Sequence, residues 1–159
     1  MLVYHGSFMG ISNPDVHHSN KYVDFGPGFY VTTFKEQAEK WARRKAARKH
    51  GKAIVNVYEM QENLSDLRVL LFENADGDWL DYVTACRKGE QVYQHYDVVV
   101  GNVADDDVFK SVDMYFRGFW DKERTLQELR YYKRNDQIAF ITNEAITKVL
   151  MFKESYEVI

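Results

Sequence analysis

The stretch FGPGFYVTTFKEQAEKWA, residues 25–42, contains a glycine-rich turn, a short strand and the start of a helix. Residues 26–28 are a strong turn signal, and the apolar run 29–32 predicts a strand directly after it. Thr33 followed by Glu36 matches a capping box, the pairing of a hydroxyl with a Glu three residues later that opens many helices. We therefore expect a helix from this point to about His50.

The predicted helix carries one large aromatic residue and ends in a basic cluster. Ala38, Trp41 and Ala42 recur at helical spacing, so Trp41 is expected on the inward face. Cations near the C-terminus of a helix complement its dipole, and a glycine such as Gly51 ends it. This pattern favours a solvated helix end over a nucleic-acid surface for the basic cluster.

The rest of the chain mixes strands and helices without regular alternation. Apolar runs predict strands over residues 2–5, 53–59, 68–72, 96–101, 137–142 and 151–153. Helical patterns cover residues 76–88, 107–116, 121–131 and 143–150, and the polar residues 8–24 predict a loop. This order indicates an α+β fold, in a single domain over residues 1–159.

Composition and charge exclude several classes of protein. The chain is 45% hydrophobic and 28% charged, which is typical of a globular domain, and its net charge of −3 gives no overall attraction to nucleic acid. No apolar run reaches the roughly 18 residues of a membrane span, and the first residues lack the features of a signal peptide. The single cysteine, Cys86, fits a reducing cytoplasm and is expected to be a small core residue.

Two short patterns with possible chemistry have simpler explanations. Asp24-Phe25-Gly26 spells the metal-binding triplet of protein kinases, but the loops and the lysine that must precede it are missing. The acidic run 105–107 could hold a metal ion, although acids at this place more often cap a helix. The five histidines have no spacing typical of a ligand set, so we expect no metal.

Three stretches remain as candidates for a binding site. The first is His5-Gly6-Ser7 at the end of the first strand, where the missing side chain of Gly6 would let a ligand approach the backbone. The second is the segment 25–30 together with Trp41. The third is the strand that begins Asn135-Asp136-Gln137. Tyr30 and Trp41 could also be ordinary core aromatics.

In this order, the three stretches resemble the ADP-ribosyltransferase superfamily. The resemblance is to the His-Tyr-Glu branch, which includes diphtheria toxin and the poly(ADP-ribose) polymerases. Nearly the whole chain is similar to a bacterial family of uncharacterised ADP-ribosyltransferase-like domains, some of which appear in toxin–antitoxin pairs. The resemblance implies an ADP-ribosyltransferase-like split β-sheet core with flanking helices.

The resemblance also implies a binding site for NAD as co-substrate, without a metal. The turn that contains Gly28 would bring the backbone close to the nicotinamide end of NAD, and Tyr30 and Trp41 would flank the nicotinamide ring. Backbone groups of Gly6, in the His5-Gly6-Ser7 motif, would bond the carboxamide, and His5 would hold a ribose hydroxyl. A planar cationic ring is well held between aromatic faces.

The third motif departs from the family pattern, which usually has a Glu that bonds the ribose 2′-hydroxyl. Here the candidates are Gln137 and the adjacent Asp136, which point to opposite faces of a strand. Gln137 shares its face with the small Ala139, so we favour Gln137 for the pocket, with Asp136 left as the alternative. A neutral amide in place of a carboxylate weakens the interaction by about 1–2 kcal/mol.

The expected function is that of a mono-ADP-ribosyltransferase, a glycosyltransferase that moves ADP-ribose from NAD to a protein or nucleic-acid acceptor. We expect it to act in the cytoplasm, away from membranes, as a bacterial toxin or defence component with a small antitoxin protein as partner. A non-catalytic module that binds NAD or ADP-ribose and a pure interaction protein are the alternatives.

Overall fold

A computed structural model describes residues 1–18, 23–104, 106–130 and 135–159. The described strands are β1 (Leu2–Ser7), β2 (Phe29–Val31), β3 (Ile54–Met60), β4 (Val69–Leu71), β5 (Val98–Asn102), β6 (Asp136–Phe140) and β7 (Leu150–Glu157). The described helices are α1 (Lys35–Lys49), α2 (Gly77–Arg87), α3 (Asp106–Phe116), α4 (Lys122–Leu129) and α5 (Asn143–Val149), with a short 3-10 helix over Val92–His95.

The strands form two sheets that meet at a seam between β1 and β2. One sheet has the order β1-β3-β7 and the other β2-β6-β5-β4. All pairings are antiparallel except that of β4 with β5. Among the described residues, one bridge between Tyr4 and Thr32 links the two sheets.

The sheets bury their apolar residues on both faces. The inner core takes Val3 and Tyr58 from one sheet, Ile138 and Phe140 from the other, and one face of α5. Helix α1 covers the outer face of the first sheet through small alanines, and α2, α3 and α4 cover the outer face of the second. Alternate residues of each strand therefore face different cores.

The α+β prediction is confirmed, and most elements lie within a few residues of their predicted positions. The largest difference is β7, which runs over Leu150–Glu157 instead of 151–153 because its exposed face is charged and masks the strand pattern. The predicted loop is free of helix and strand over 8–18, and its residues 19–22 lie outside the described part. Two other predicted positions also lie outside the described residues: Asp105, the first acid of the run predicted to cap a helix, and Tyr131, the predicted last residue of α4.

The prediction of a capping box at Thr33 is wrong. The N-cap of α1 is Phe34, whose side chain has no hydrogen-bonding atom, and the Thr33 hydroxyl donates to Asp136 Oδ2 at 2.5 Å instead of capping the helix. The predicted end of the helix is confirmed, since α1 ends at Lys49 just before Gly51. The left-handed residue at this end is His50, with φ of 52°.

No helix in the described part of the chain is long and apolar enough to cross a membrane.

Candidate functional site

The seam between the two sheets brings the first and second sequence motifs together. Tyr4 and Thr32 exchange backbone hydrogen bonds of 2.9 Å, after which the two strands separate. Continuing this antiparallel register by two residues sets Gly6 level with Tyr30. The Gly6 and Tyr30 positions therefore face each other across the opening of the seam.

His5 closes the inner side of this seam. Its Nδ1 lies 2.6 Å from the Tyr30 carbonyl oxygen, and its ring stacks on Phe29 with centroids 4.3 Å apart. Because a carbonyl oxygen only accepts, Nδ1 carries the proton and Nε2 remains an acceptor. Burial and the nearby Lys45 lower the pKa of His5 to about 3, so the imidazole is neutral.

Helix α1 occupies the space beside Gly6 that was predicted to admit a ligand. A Cβ at Gly6 would lie 2.1 Å from the Ala38 carbonyl oxygen and 2.9 Å from Trp41 Cβ. The absence of a side chain therefore serves close packing of α1 on β1. Trp41 is half-buried at this contact, in keeping with the expected inward face, and Ser7 ends β1 with its side chain buried.

Lys45 was not predicted to be a site residue, yet its amine contacts Gly6 at the seam. It lies one turn beyond Trp41 on α1, and its Nζ donates to the Gly6 carbonyl oxygen at 2.8 Å. Burial, and to a smaller extent the neighbouring Arg48, lowers the pKa of Lys45 to about 8. The carbonyl assigned to the carboxamide of NAD by the resemblance is thus bonded to an amine.

The turn at residues 25–28 is fixed by its own packing. Gly26 has φ of 89°, and a Cβ there would lie 2.3 Å from the ring of Tyr93. A Cβ at Gly28 would lie 2.5 Å from the Phe140 carbonyl oxygen. The Tyr30 hydroxyl donates to the Gly26 carbonyl oxygen at 2.5 Å and accepts from the Phe25 N–H at 3.0 Å. Gly28 therefore lets the turn lie close to β6, Gly26 lets it lie close to Tyr93, and the Tyr30 hydroxyl ties the turn to β2.

Gln137 and Asp136 point to opposite faces of β6, as their adjacency requires. Asp136 Oδ1 accepts from the hydroxyl of Thr32 and the N–H of Thr33, both at 2.9 Å, so it joins β2 to α1. Gln137 lies on the face of Ala139, which pairs with Tyr30 in the register of β2 and β6. The side chain on the Tyr30 side of the sheet is Gln137.

A buried carboxylate orients the Gln137 amide. Gln137 Nε2 lies 2.9 Å from Asp24 Oδ2 and 3.4 Å from the Asn102 carbonyl oxygen. Both partners only accept, so the nitrogen must face them and Oε1 must point elsewhere. No donor in the described part of the chain bonds this Oε1. Asp24 and the Asn102 carbonyl thus fix which atom of the Gln137 amide, Oε1, can accept a hydrogen bond.

Asp24 itself is neutralised by a second buried group. Its Oδ1 accepts from Arg87 Nε at 3.0 Å and from Arg87 Nη2, and its Oδ2 accepts from the Ala104 N–H at 3.0 Å. The Arg87 guanidinium lies over the ring of Phe109, 4.3 Å from its centroid. Asp24 belongs to the Asp24-Phe25-Gly26 triplet, whose likeness to the kinase motif was interpreted as a coincidence. Its role in orienting Gln137 is one that no local sequence pattern indicates.

The structure gathers some candidate residues and separates others. Gly6, Tyr30, Trp41 and Gln137 lie on the outer side of the seam, whereas the His5 ring faces the inner core. Tyr30 and Trp41 do not stack on each other in the described part of the chain. Cavities of about 300 Å³ and 700 Å³ lie elsewhere, and none of these residues lines either of them.

Two further groups have little scope for chemistry. Among the described residues, no cluster of His, Cys, Asp or Glu could hold a metal ion. Cys86 is fully buried, as expected, and burial raises the pKa of its thiol to about 12. Its thiol therefore stays protonated at neutral pH.

The fold and the site define an α+β protein whose two sheets meet at a seam lined by a neutral histidine, a tyrosine and a glutamine. A family model described as "protein of unknown function (DUF3990)" matches residues 1–152, and the chain belongs to this family. No curated protein and no solved structure matches the chain.

Proposed function

We propose that the protein is a mono-ADP-ribosyltransferase that transfers ADP-ribose from NAD to a protein or nucleic-acid acceptor. The observation that carries the proposal is the meeting of three distant motifs at one seam. Gly6 and Tyr30 lie level across it, and Gln137 lies on the Tyr30 side of the adjacent strand. An ADP-ribosyltransferase-like split-sheet core would bring the same motifs to one nucleotide site.

In this proposal the nicotinamide ring lies between Tyr30 and Trp41, and the ribose 2′-hydroxyl donates to Gln137 Oε1. The carboxamide would bond Gly6 in place of Lys45, so Lys45 Nζ must leave the Gly6 carbonyl oxygen when NAD binds. A lysine whose pKa is lowered to about 8 by burial releases a proton more readily than an exposed one. When the Lys45 amine moves away from Gly6, a cation is also removed from beside the pyridinium ring.

Gln137 supports the reaction without a charge. Cleavage of the bond between nicotinamide and ribose develops positive charge on the sugar, and oriented dipoles in a closed site stabilise such charge. The Asp24 carboxylate fixes the direction of the Gln137 amide dipole before substrate binds. The expected loss relative to a carboxylate is about 1–2 kcal/mol, or roughly five- to thirtyfold in rate.

A second candidate is a module that binds NAD or ADP-ribose without turnover. The observation that favours it is the neutral Gln137, which bonds an Asp24 already paired with Arg87. Such a module is stabilised by NAD but releases no nicotinamide. A protein that serves interaction alone shows neither effect.

The test is nicotinamide release from NAD, measured with bacterial lysate present as acceptor. We expect release by the wild type, a strong loss in Gln137→Ala and retention in Asp136→Asn, which keeps the shape of a side chain on the other face. Thermal unfolding with and without NAD separates the binding module from the interaction protein. Release unchanged in Gln137→Ala would overturn the assignment of that residue.

The proposed biological role is that of a cytoplasmic toxin or defence component restrained by a small antitoxin protein. Induced expression in a bacterial host tests this role. Growth should stop with the wild type and continue with Gln137→Ala at equal protein levels.

A further inference from the structure

The second sheet ends in an edge strand, β4, which lies away from the site residues at the seam. β4 is the last strand in the order β2-β6-β5-β4. The Phe72 N–H donates to Val100 at 2.8 Å, and the Arg68 carbonyl accepts from Asp97 and Val98, so these alternate residues face β5. Val69 and Leu71 therefore turn their N–H and C=O groups away from the sheet.

This outward edge is also apolar. Leu71 is 58% exposed and Val69 is 36% exposed. In the described part of the chain, no strand pairs with this side of β4. An exposed edge of this kind is a template for an added strand.

Beside the edge lies a groove of about 700 Å³ with an aromatic floor. Phe72 and Tyr82 have ring centroids 5.3 Å apart, and Tyr82 and Tyr96 have centroids 6.4 Å apart in an edge-to-face arrangement. Leu70 and Leu71 connect this floor to β4. We call the edge and this cavity together the β4 groove.

The rim of the β4 groove is acidic. Its charged lining residues are Glu73, Asp76, Asp78 and Asp81, and no lysine or arginine lines it among the described residues. Asp81 is paired with Lys122 at 2.7 Å and Asp76 caps α2. The exposed Glu73 and Asp78 form no direct ion pair in the described part, and Lys122 acts on Asp78 only at longer range. Carboxylates above aromatic faces suit a lysine or arginine side chain.

We propose that the β4 groove binds an extended basic segment of a partner protein. The segment would pair its main chain with Val69 and Leu71 and direct lysine or arginine side chains to the acidic rim. A second copy of this chain would bring two acidic rims together, which charge repulsion opposes. The negative charge of the rim also repels the phosphates of nucleic acid. This proposal does not depend on the proposed enzymatic activity.

The test measures binding of two short synthetic peptides to the full chain by fluorescence anisotropy. In one peptide valine alternates with arginine, and in the other valine alternates with glutamate. We expect the basic peptide to bind, with an affinity that falls as salt rises, and the acidic peptide to bind at least tenfold more weakly. Equal binding of both peptides would overturn the proposal.

Variants separate the two parts of the recognition. Glu73→Lys with Asp78→Lys should weaken the basic peptide at least tenfold, while Glu62→Lys with Glu154→Lys, the same charge change on exposed residues elsewhere, should alter it less than twofold. Leu71→Pro should also abolish binding, because it removes an outward N–H that would pair with the peptide. The variant should still fold, because an edge strand tolerates proline at a position that does not donate to the sheet. Circular dichroism of each variant checks that the fold is retained.

Two results would contradict the inference. The first is an affinity for the basic peptide that is unchanged by both the rim charge reversal and Leu71→Pro. The second is sedimentation of the protein alone as a dimer that Leu71→Pro dissociates, because the β4 groove would then be a contact between copies of this chain.

Discussion

Removal of the Asp24 carboxylate tests whether this buried acid organises the fold behind the seam. Asp24→Ala leaves the Arg87 guanidinium without its carboxylate while the Phe109 ring still covers it. It also removes the acceptor of the Ala104 N–H and of Gln137 Nε2. Several donors therefore lose one shared partner at once.

The magnitude follows from the burial of the pair. The side chains of Asp24 and Arg87 are only 10% and 15% exposed. Removal of one partner of a buried ion pair costs about 3–5 kcal/mol because the remaining charge is left uncompensated. The neutral bonds to Ala104 and Gln137 are not added to this figure, because they depend on the same carboxylate. We expect Asp24→Ala to lower the free energy of unfolding by about 3–5 kcal/mol.

Urea unfolding followed by circular dichroism measures this change. Asp113→Ala is the matched control, because Asp113 forms an exposed pair with Arg117 one helical turn away and such pairs contribute about 0.3–0.5 kcal/mol. If Asp24→Ala destabilises the protein by no more than this control, the Asp24 carboxylate does not hold the described network. An unchanged slope of unfolding against urea shows that the same folded state is compared.

Three more predictions concern the seam and its surroundings. Gly6→Ala should destabilise the protein by about 1–3 kcal/mol or more in urea unfolding, since its methyl group would meet the backbone of α1; Gly51→Ala, whose methyl group would lie 3.6 Å from Phe8 Cβ, should change stability far less. The pKa of His5 is about 3 in the folded protein and 6.5 in the unfolded chain, so the unfolded state alone takes up a proton as pH falls below 6.5. Wild-type stability should therefore fall by up to about 1.4 kcal/mol per pH unit from this group, and His5→Gln should show a smaller slope between pH 6.5 and 4.5; equal slopes would contradict the low pKa. Tyr82→Phe should leave the melting temperature unchanged or raise it, because the buried Tyr82 hydroxyl has no nitrogen or oxygen partner in the described part of the chain and the nearby Cys86 thiol bonds weakly.

The sequence could predict the elements whose signals are local. Asp76, Asp121 and Thr142 precede helices and accept from the backbone N–H three residues later, which is the usual N-cap arrangement. The alternation of AIVNVYE predicted β3, and the apolar run YDVVVG predicted β5. In each case, neighbours within a few residues determine the structure.

Features that depend on distant partners could not be predicted in the same way. Thr33 and Glu36 have the spacing of a capping box, but the Thr33 hydroxyl donates to Asp136, which is 103 positions away in the chain. The basic end of α1 was predicted to be solvated, but one of its members, Lys45, donates its amine hydrogen to the Gly6 carbonyl oxygen at the seam. Only the pairing of β2 with β6 and the packing of α1 on β1 bring these partners together, and neither is written in a local pattern.

The Asp24–Gln137 contact also bears on the proposed activity, because it predicts that a glutamate at position 137 would not by itself supply the ionised carboxylate expected of an ADP-ribosyltransferase. In Gln137→Glu the new carboxylate would replace an amide that lies 2.9 Å from Asp24 Oδ2. Two carboxylates this close cannot both be ionised, so the pKa of one must rise. We expect this single substitution to release nicotinamide no faster than the wild type at neutral pH. Combination with Asp24→Asn moves the negative charge to position 137 and supplies an amide donor beside it, so release per folded molecule should rise by roughly five- to thirtyfold. The double variant also takes the carboxylate partner from Arg87, so it should be less stable than the wild type and is assayed below its melting temperature. A single variant as fast as the double variant would show that Asp24 does not control the charge at this position, and the rates of both variants against pH distinguish these outcomes.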